Sequence, residues 1–393
     1  MEQENTNYIK RALGGTMSKL AQQFPALLVT GPRQSGKSTL VRRMFPSHTY
    51  VSFDRTDLRA LANDDPEYFL SLYKEPMIID EIQYAPKIFS HLKLRIDEKR
   101  TQYGRFILTG LQSFQLMKGV SESLAGRISI LKLLPLSWKE LNLGYLDDPK
   151  AIISEIIAGF YPEIRARKDL DIKVWYESYI QTYLERDVRQ LQFVKDLNLF
   201  QKFMVLLVGR VGSILNMSEL ARDAGMSLHA VREWLTILEA SHIVFLLNPY
   251  YRNHGKRLIK SPKIYFEDTG LLCHILHETS AESLSIKPLA GALFENLVIS
   301  EFRKQYFSRG ELPNFYFYRT ATGQEVDLII EEGKHPVAIE IKLGKSANLN
   351  QFKTLEKFCE EYKTDGTWIS LSRESLRIRP NIQMEMFPPA KLA

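Results

Sequence analysis

Ala26-Leu27-Leu28-Val29-Thr30-Gly31-Pro32-Arg33-Gln34-Ser35-Gly36-Lys37-Ser38-Thr39 is the stretch that decides the fold. Its first five residues form an apolar run that reads as a buried strand, and Ser38 to Phe45 reads as a helix. Between them Gly31 to Ser38 completes the pattern G-x-x-x-x-G-K-[ST], a phosphate-binding loop in the strand-to-helix setting that the pattern requires. The glycines let successive N–H groups turn inward on phosphate oxygens, and the helix N-terminus adds the positive end of its dipole. Lys37 is expected to reach the β- and γ-phosphates and Ser38 to ligate magnesium, with Thr39 completing the loop contacts. A second apolar run, Met77-Ile78-Ile79, ends in Asp80-Glu81. Asp80 can hold magnesium through water, and Glu81 can orient the attacking water. The expected cofactors are ATP and Mg2+, and the acidic pair points to hydrolysis rather than to binding alone.

Working outward, residues 26 to 138 alternate strands and helices, with further strands at Tyr50-Val51-Ser52-Phe53, Arg105 to Thr109 and Ile128 to Leu133. This is the pattern of a parallel sheet with helices on both faces, an α/β fold. Thr109 closes the fourth strand, where a hydroxyl can sense the γ-phosphate or place water, or simply end the strand.

At 393 residues the chain is long enough for two to four domains, and 45% hydrophobic with 25% charged residues is ordinary globular composition. Apolar stretches such as Phe203 to Val208 and Ile243 to Leu247 are too short to span a bilayer, so no membrane partner is expected. The acidic, polar start Met1-Glu2-Gln3-Glu4-Asn5 is unlike a signal peptide, and Cys273 and Cys359 lack metal-ligand spacing. Together these set the expectation of a cytoplasmic protein. A net charge of +6 leans toward an anionic partner, but where the bases sit tells more than their sum.

The segments GPRQSGKST, MIIDEIQ, LTGLQSF and SLAGRI resemble AAA+ ATPases of the AAA_14 group, found in bacteria and archaea. The motifs LERDV (184–188), EDTGLL (267–272), FENLV (294–298), TATGQEVDLII and AIEIK are similar to the DUF4143 region that follows the ATPase in that group. The resemblance implies that Thr109 or Gln112 stands at the sensor position, and that Arg127 is an arginine supplied to a neighbouring subunit's γ-phosphate, or else a surface ion pair. Arg186 and Arg189 are alternative fingers. Assembly of further copies of the chain into a homo-oligomer, a hexamer among the candidates, follows if Arg127 acts in trans.

The expected order is an AAA+ P-loop domain at 1–138, a helical lid at 139–210, a winged helix-turn-helix at 211–280 and a restriction-nuclease-like α/β domain at 281–393. Helical spacing at Ile152, Ile153, Ile156 and Ile157, and at Tyr179, Tyr183, Leu184 and Val188, supports the lid; the aromatic stripe Trp175, Tyr176, Tyr179, Tyr183 reads as core rather than a binding surface. In the helix-turn-helix, Ala221 packs inside the first helix, Gly225 makes the turn, Ser227 caps the second helix, and Val231, Leu235 and Leu238 face inward. Leu228, His229, Arg232 and Glu233 then face the major groove, and a basic wing carries Arg252, His254, Lys256, Arg257 and Lys260. Glu233 on the reading face favours recognition of shape and backbone, in duplex or branched DNA, over an operator sequence. The competing use of such a module is domain packing.

Further on, strict alternation places Glu325, Asp327 and Ile329 on one face of their strand and Glu340 with Lys342 on one face of theirs, joined by a hairpin through Glu331 to Pro336, so that an Asp, a Glu and a Lys converge at one end of a small sheet. The set resembles the D…E-x-K arrangement of the PD-(D/E)xK nucleases, with Glu295 in FENLV as a further acid. By that resemblance Glu295, Asp327 and Glu340 hold metal and Lys342 orients water. The chain is therefore expected to be an ATP-driven, oligomeric, DNA-processing protein. The alternatives are a nucleotide switch that binds a protein partner and an ATP-gated nuclease.

Overall fold

The computed structural model describes residues 8–111, 114–183, 196–250, 261–333, 335–344, 352–372 and 377–390. Its first part runs α1 (Leu13–Leu20), β1 (Ala26–Thr30), α2 (Lys37–Met44), β2 (Thr49–Ser52), α3 (Thr56–Asp64), α4 (Pro66–Ser71), β3 (Met77–Asp80), α5 (Ile88–Glu98), β4 (Phe106–Gly110), α6 (Phe114–Ser123) and β5 (Ile128–Lys132). The five strands form a wholly parallel sheet in the order β2-β3-β4-β1-β5. Every residue of β1, β3 and β4 is buried, which is why these strands read as unbroken apolar runs. Alternation still divides them: Leu27, Val29, Ile78 and Ile107 pack with α1 and α2, while Leu28, Ile79, Phe106 and Leu108 pack with helices α3 to α6. Because β4 lies between β1 and β3, the C-terminal ends of three strands open on one edge, and the phosphate loop leaves from there.

The second part continues α7 (Pro149–Ala158), α8 (Pro162–Ala166), α9 (Ile172–Tyr183), α10 (Leu197–Val208), α11 (Met217–Ala224), α12 (Leu228–Ala240), β6 (Val244–Pro249), β7 (Lys263–Phe266), α13 (Thr269–Ile275), α14 (Ala281–Ser285) and α15 (Leu289–Ser308). It closes with β8 (Phe315–Arg319), β9 (Glu325–Glu332), β10 (His335–Ile341), α16 (Lys353–Tyr362), β11 (Gly366–Ser370), β12 (Arg377–Arg379) and β13 (Ile382–Met386). Strands β6 to β13 belong to one sheet in the order β12-β13-β11-β10-β9-β8-β6-β7. The strand pair β6–β7 that follows α11 and α12 is therefore the edge of the C-terminal sheet, joined through Asn248 and Pro249 opposite Tyr316 and Phe317. A single apolar core gathers residues from Leu136 to Phe387, among them Ile152, Phe203, Leu235, Phe294 and Ile341.

Buried polar groups tie these helices together. Asp268 caps α13 through Leu271 N and also accepts from Phe160 N at 2.7 Å and Tyr176 Oη at 2.8 Å. Asn296, wholly buried on α15, accepts from Phe266 N at 2.7 Å and donates to Phe266 O at 2.8 Å. In the helix-turn-helix, Gly225 has φ +77°, the left-handed form that ends α11, and Ser227 Oγ accepts from Ala230 N at 3.1 Å to start α12.

One expectation fails in β9. Its register against β8 shifts between Tyr316 and Tyr318, so Val326 and Ile329 both pack under α16 while Leu328 and Ile330 join the larger core. Strict alternation would have put Ile329 with Glu325 and Asp327. A bulge resets the faces at the acidic strand.

Candidate nucleotide site and the C-terminal acids

The loop after β1 adopts the conformation that its glycines permit. Gly31 has φ +150° and Gly36 φ +89°. A Cβ on Gly31 would lie 2.1 Å from Leu133 O, so only glycine lets the loop lie against the end of β5. Arg11 holds this loop from behind, donating to Ser35 O at 2.7 Å and Leu134 O at 2.6 Å while pairing with Glu140 at 3.1 Å. Nothing in the loop's own pattern pointed to Arg11. The Lys37 ammonium folds back on its loop, 3.0 Å from Gly31 O and 2.8 Å from Pro32 O.

Asp80 stands at the centre of the site and is nearly buried. Ser38 Oγ donates to its Oδ1 at 3.0 Å, Thr109 Oγ1 donates to the same oxygen, and Tyr50 Oη donates to Oδ2 at 2.6 Å. Burial, then the bond to Asp80, pushes the Tyr50 phenol well above its ordinary range, so it stays a donor. Glu81 follows with φ +57°, its N–H donating to Thr109 Oγ1 at 3.2 Å, and its carboxylate accepts from Gln83 Nε2. Gln83 Oε1 is buried without a hydrogen-bond partner among the described residues, beside Gly110. Thr109 is wholly buried and is not among the residues that line the cleft; its hydroxyl acts on Asp80 and on the backbone of Glu81.

A cleft of about 510 Å3 opens over the loop, lined by Arg33, Gln34, Gly36, Lys37, Ser38, Thr39, Asp54 and Glu81. Its opposite wall is Trp175, Ser178, Tyr179 and Thr182 of α9. Tyr176 and Tyr179 of the aromatic stripe are buried core and Trp175 packs against it, as expected; Trp175 and Tyr179, stacked at 5.3 Å and 13°, also border the cleft.

Other expected residues are placed as follows. Arg127 grips Asp97 of its own chain with two bonds of 2.7 and 2.9 Å. His229 is exposed and lies 3.3 Å from Glu233, with Arg232 exposed beside them. Gln112, Arg186, Arg189, Arg252, His254, Lys256, Arg257 and Lys260 fall outside the described residues.

The C-terminal acids come close together but each faces a base. Lys263 Nζ is 3.0 Å from Glu295 Oε1 and 2.6 Å from Glu325 Oε1. Lys342 Nζ is 3.0 Å from Asp327 Oδ2 and 2.7 Å from Glu340 Oε1. Burial first, then Asp327, raises Glu295 to about 7 and Glu340 to about 8. The metal-holding geometry expected of Glu295, Asp327 and Glu340 is not formed: among the described residues no three His, Cys, Asp or Glu side chains gather as metal ligands. The reason is that ammonium groups occupy the space between the carboxylates. No helix among the described residues is long and apolar enough to cross a membrane.

A parallel sheet with a phosphate loop after β1 and an Asp-Glu pair at the end of β3 defines a P-loop ATPase. Family models match three consecutive stretches: an AAA domain (AAA_14) at residues 23–142, a domain of unknown function (DUF8612) at 150–282 and a domain of unknown function (DUF4143) at 290–387. The middle match runs across the boundary expected near residue 210. An uncharacterized protein of Mycobacterium tuberculosis is 31% identical over 346 residues, 87% of this chain and 76% of that one, and one of Mycobacterium bovis matches to the same extent. Among solved structures, a Walker-type ATPase of Pyrococcus abyssi aligns with a TM-score of 0.44 at 14% identity, over 68% of this chain and 96% of its own. The RuvB Holliday junction branch migration motor of Thermotoga maritima aligns with a TM-score of 0.29 at 17% identity, over 59% of this chain and 86% of its own. The chain belongs to the AAA_14 family of ATPases that carry a C-terminal DUF4143 region.

Proposed function

We propose that this ATPase hydrolyses ATP with magnesium at the cleft over Lys37 and uses the cycle to act on DNA through α12. The observation that carries the hydrolytic part is the Asp80 carboxylate, held at the strand ends by the hydroxyls of Ser38, Thr109 and Tyr50. Ser38 Oγ and Asp80 Oδ1 converge beside the loop and fit a magnesium ion, which when bound offsets phosphate charge. Lys37 exchanges the carbonyls of Gly31 and Pro32 for phosphate oxygens. Glu81 accepts the proton of the attacking water, and Gln83 sets the direction of its carboxylate. Because α9 walls the cleft and Tyr176 on it is bonded to Asp268, the contents of the cleft bear on the shared C-terminal core.

Support for DNA is the exposed His229 and Arg232 on the second helix of a helix-turn-helix. Such a surface reads backbone and shape, with the His229–Glu233 pair tempering its charge. In an oligomer, Arg127 would have to leave Asp97 to serve a neighbour. The test is the ATP turnover rate with and without duplex and four-way DNA at low and high salt. The reading expects stimulation that fades with salt and is lost in Arg232→Glu. Turnover indifferent to every DNA contradicts it in favour of a switch that binds a protein partner.

A further inference from the structure

A nuclease of the D…E-x-K arrangement needs its carboxylates to share a divalent ion and its lysine to be available to water. Here the acids are already paired with bases of their own chain. Lys263, the first residue of β7, is only 1% exposed, and its ammonium sits between Glu295 on α15 and Glu325 on β9. Tyr265, two residues on and so on the same face of β7, donates to the same Glu295 oxygen at 2.5 Å. On the other side of the cluster Asp327 Oδ2 accepts from Ile341 N at 2.8 Å and from Lys342. Arg319 completes the set, 2.7 Å from Glu325 Oε2. One buried acceptor is left over: Glu340 Oε2 has no hydrogen-bond partner among the described residues.

We propose that Lys263 is a built-in cation of the acid cluster, paired with Glu295 and Glu325 beside the Asp327–Lys342–Glu340 set, so that the acids form a socket for β7 and not a hydrolytic centre. Two buried carboxylates without a counter-charge repel each other and lose hydration, and either a metal or an ammonium can relieve both costs. The chain uses an ammonium delivered by the hairpin of the helix-turn-helix module. The same bond therefore fastens that module to the C-terminal sheet. Glu340 Oε2 is the lone pair that the ammonium set does not reach, and it marks where a ligand would add if Lys263 were withdrawn.

The test is Mn2+ binding followed by electron paramagnetic resonance on the full chain without nucleotide, in an Asp80→Asn background that silences the phosphate-loop site. With Lys263 present, no stoichiometric Mn2+ is expected, and duplex DNA stays uncut in Mn2+. Lys263→Met should tighten Mn2+ by roughly tenfold or more, and Mn2+ should then raise the melting temperature. Adding Glu340→Gln should reverse both gains. Should Lys263→Met fail to fold, Lys263→Met with Glu325→Gln removes the exposed repulsion and keeps Glu295, Asp327 and Glu340 for the ion. Stoichiometric Mn2+ in the presence of Lys263, lost on Glu340→Gln, overturns the proposal. So does a folded Lys263→Met variant that gains no affinity.

Discussion

Asp80 and Asp327 each lie on a strand with a lysine nearby, yet their surroundings differ in the kind of donor. Around Asp80 the donors are hydroxyls, from Ser38, Thr109 and Tyr50, and Lys37 is bonded to backbone carbonyls instead. Around Asp327 and its neighbours the ammonium groups of Lys342 and Lys263 and the Arg319 guanidinium join the Ile341 N–H and the Tyr265 hydroxyl. Hydroxyls orient a carboxylate without cancelling its charge, so the first site keeps its appetite for a cation. Cationic groups offset it, so the second site carries counter-charges from its own chain. An acid-and-lysine pattern thus leads to opposite chemistry according to which partners the fold brings.

The comparison breaks most visibly on turnover. Glu81→Gln should keep nucleotide bound yet slow hydrolysis by roughly 10²–10⁴-fold, while Glu340→Gln should leave the ATPase rate nearly unchanged, both read in one steady-state assay. If the two variants fall together, the C-terminal acids take part in hydrolysis and the contrast is lost. A smaller effect is expected at Gln83, whose amide holds Glu81. Gln83→Ala should lower kcat roughly ten- to a hundredfold with little change in KM, because it misdirects the carboxylate without touching the loop. A Gln83→Glu protein of wild-type rate would show that the bond is incidental.

The smallest effect is one of pH. Folding lifts Glu340 to about 8 and Glu295 to about 7, above the ordinary value of 4.5. Between those values the folded chain binds protons that the unfolded chain does not, so stability should rise as pH falls through about 8 and then about 7. The same stability is lost as pH rises again. Urea unfolding across that window should show the trend, and Glu340→Gln should flatten it.

How legible was this in the sequence? The phosphate loop, Asp80, Glu81 and the parallel strands could be read directly, because local pattern and burial on both faces coincide there. The helix-turn-helix was legible for the same reason, Gly225 and Ser227 each meeting a backbone demand. What escaped depends on contacts far apart in the chain. Arg11 reaches Ser35 and Leu134, and Lys263 reaches Glu295 and Glu325, across separations that no periodicity reports. That Trp175 and Tyr179 border the cleft as well as pack in the core was not legible, because helical spacing shows that a face is covered but not by what. The bulge in β9 defeated alternation because one extra residue in a strand carries no compositional mark.

The most direct measurement is the number of Mn2+ ions held per chain in the presence of a non-hydrolysed ATP analogue. The account predicts a single ion, lost on Asp80→Asn and untouched by Asp327→Asn. A second ion that disappears with Asp327→Asn, or a single ion indifferent to Asp80→Asn, would contradict it.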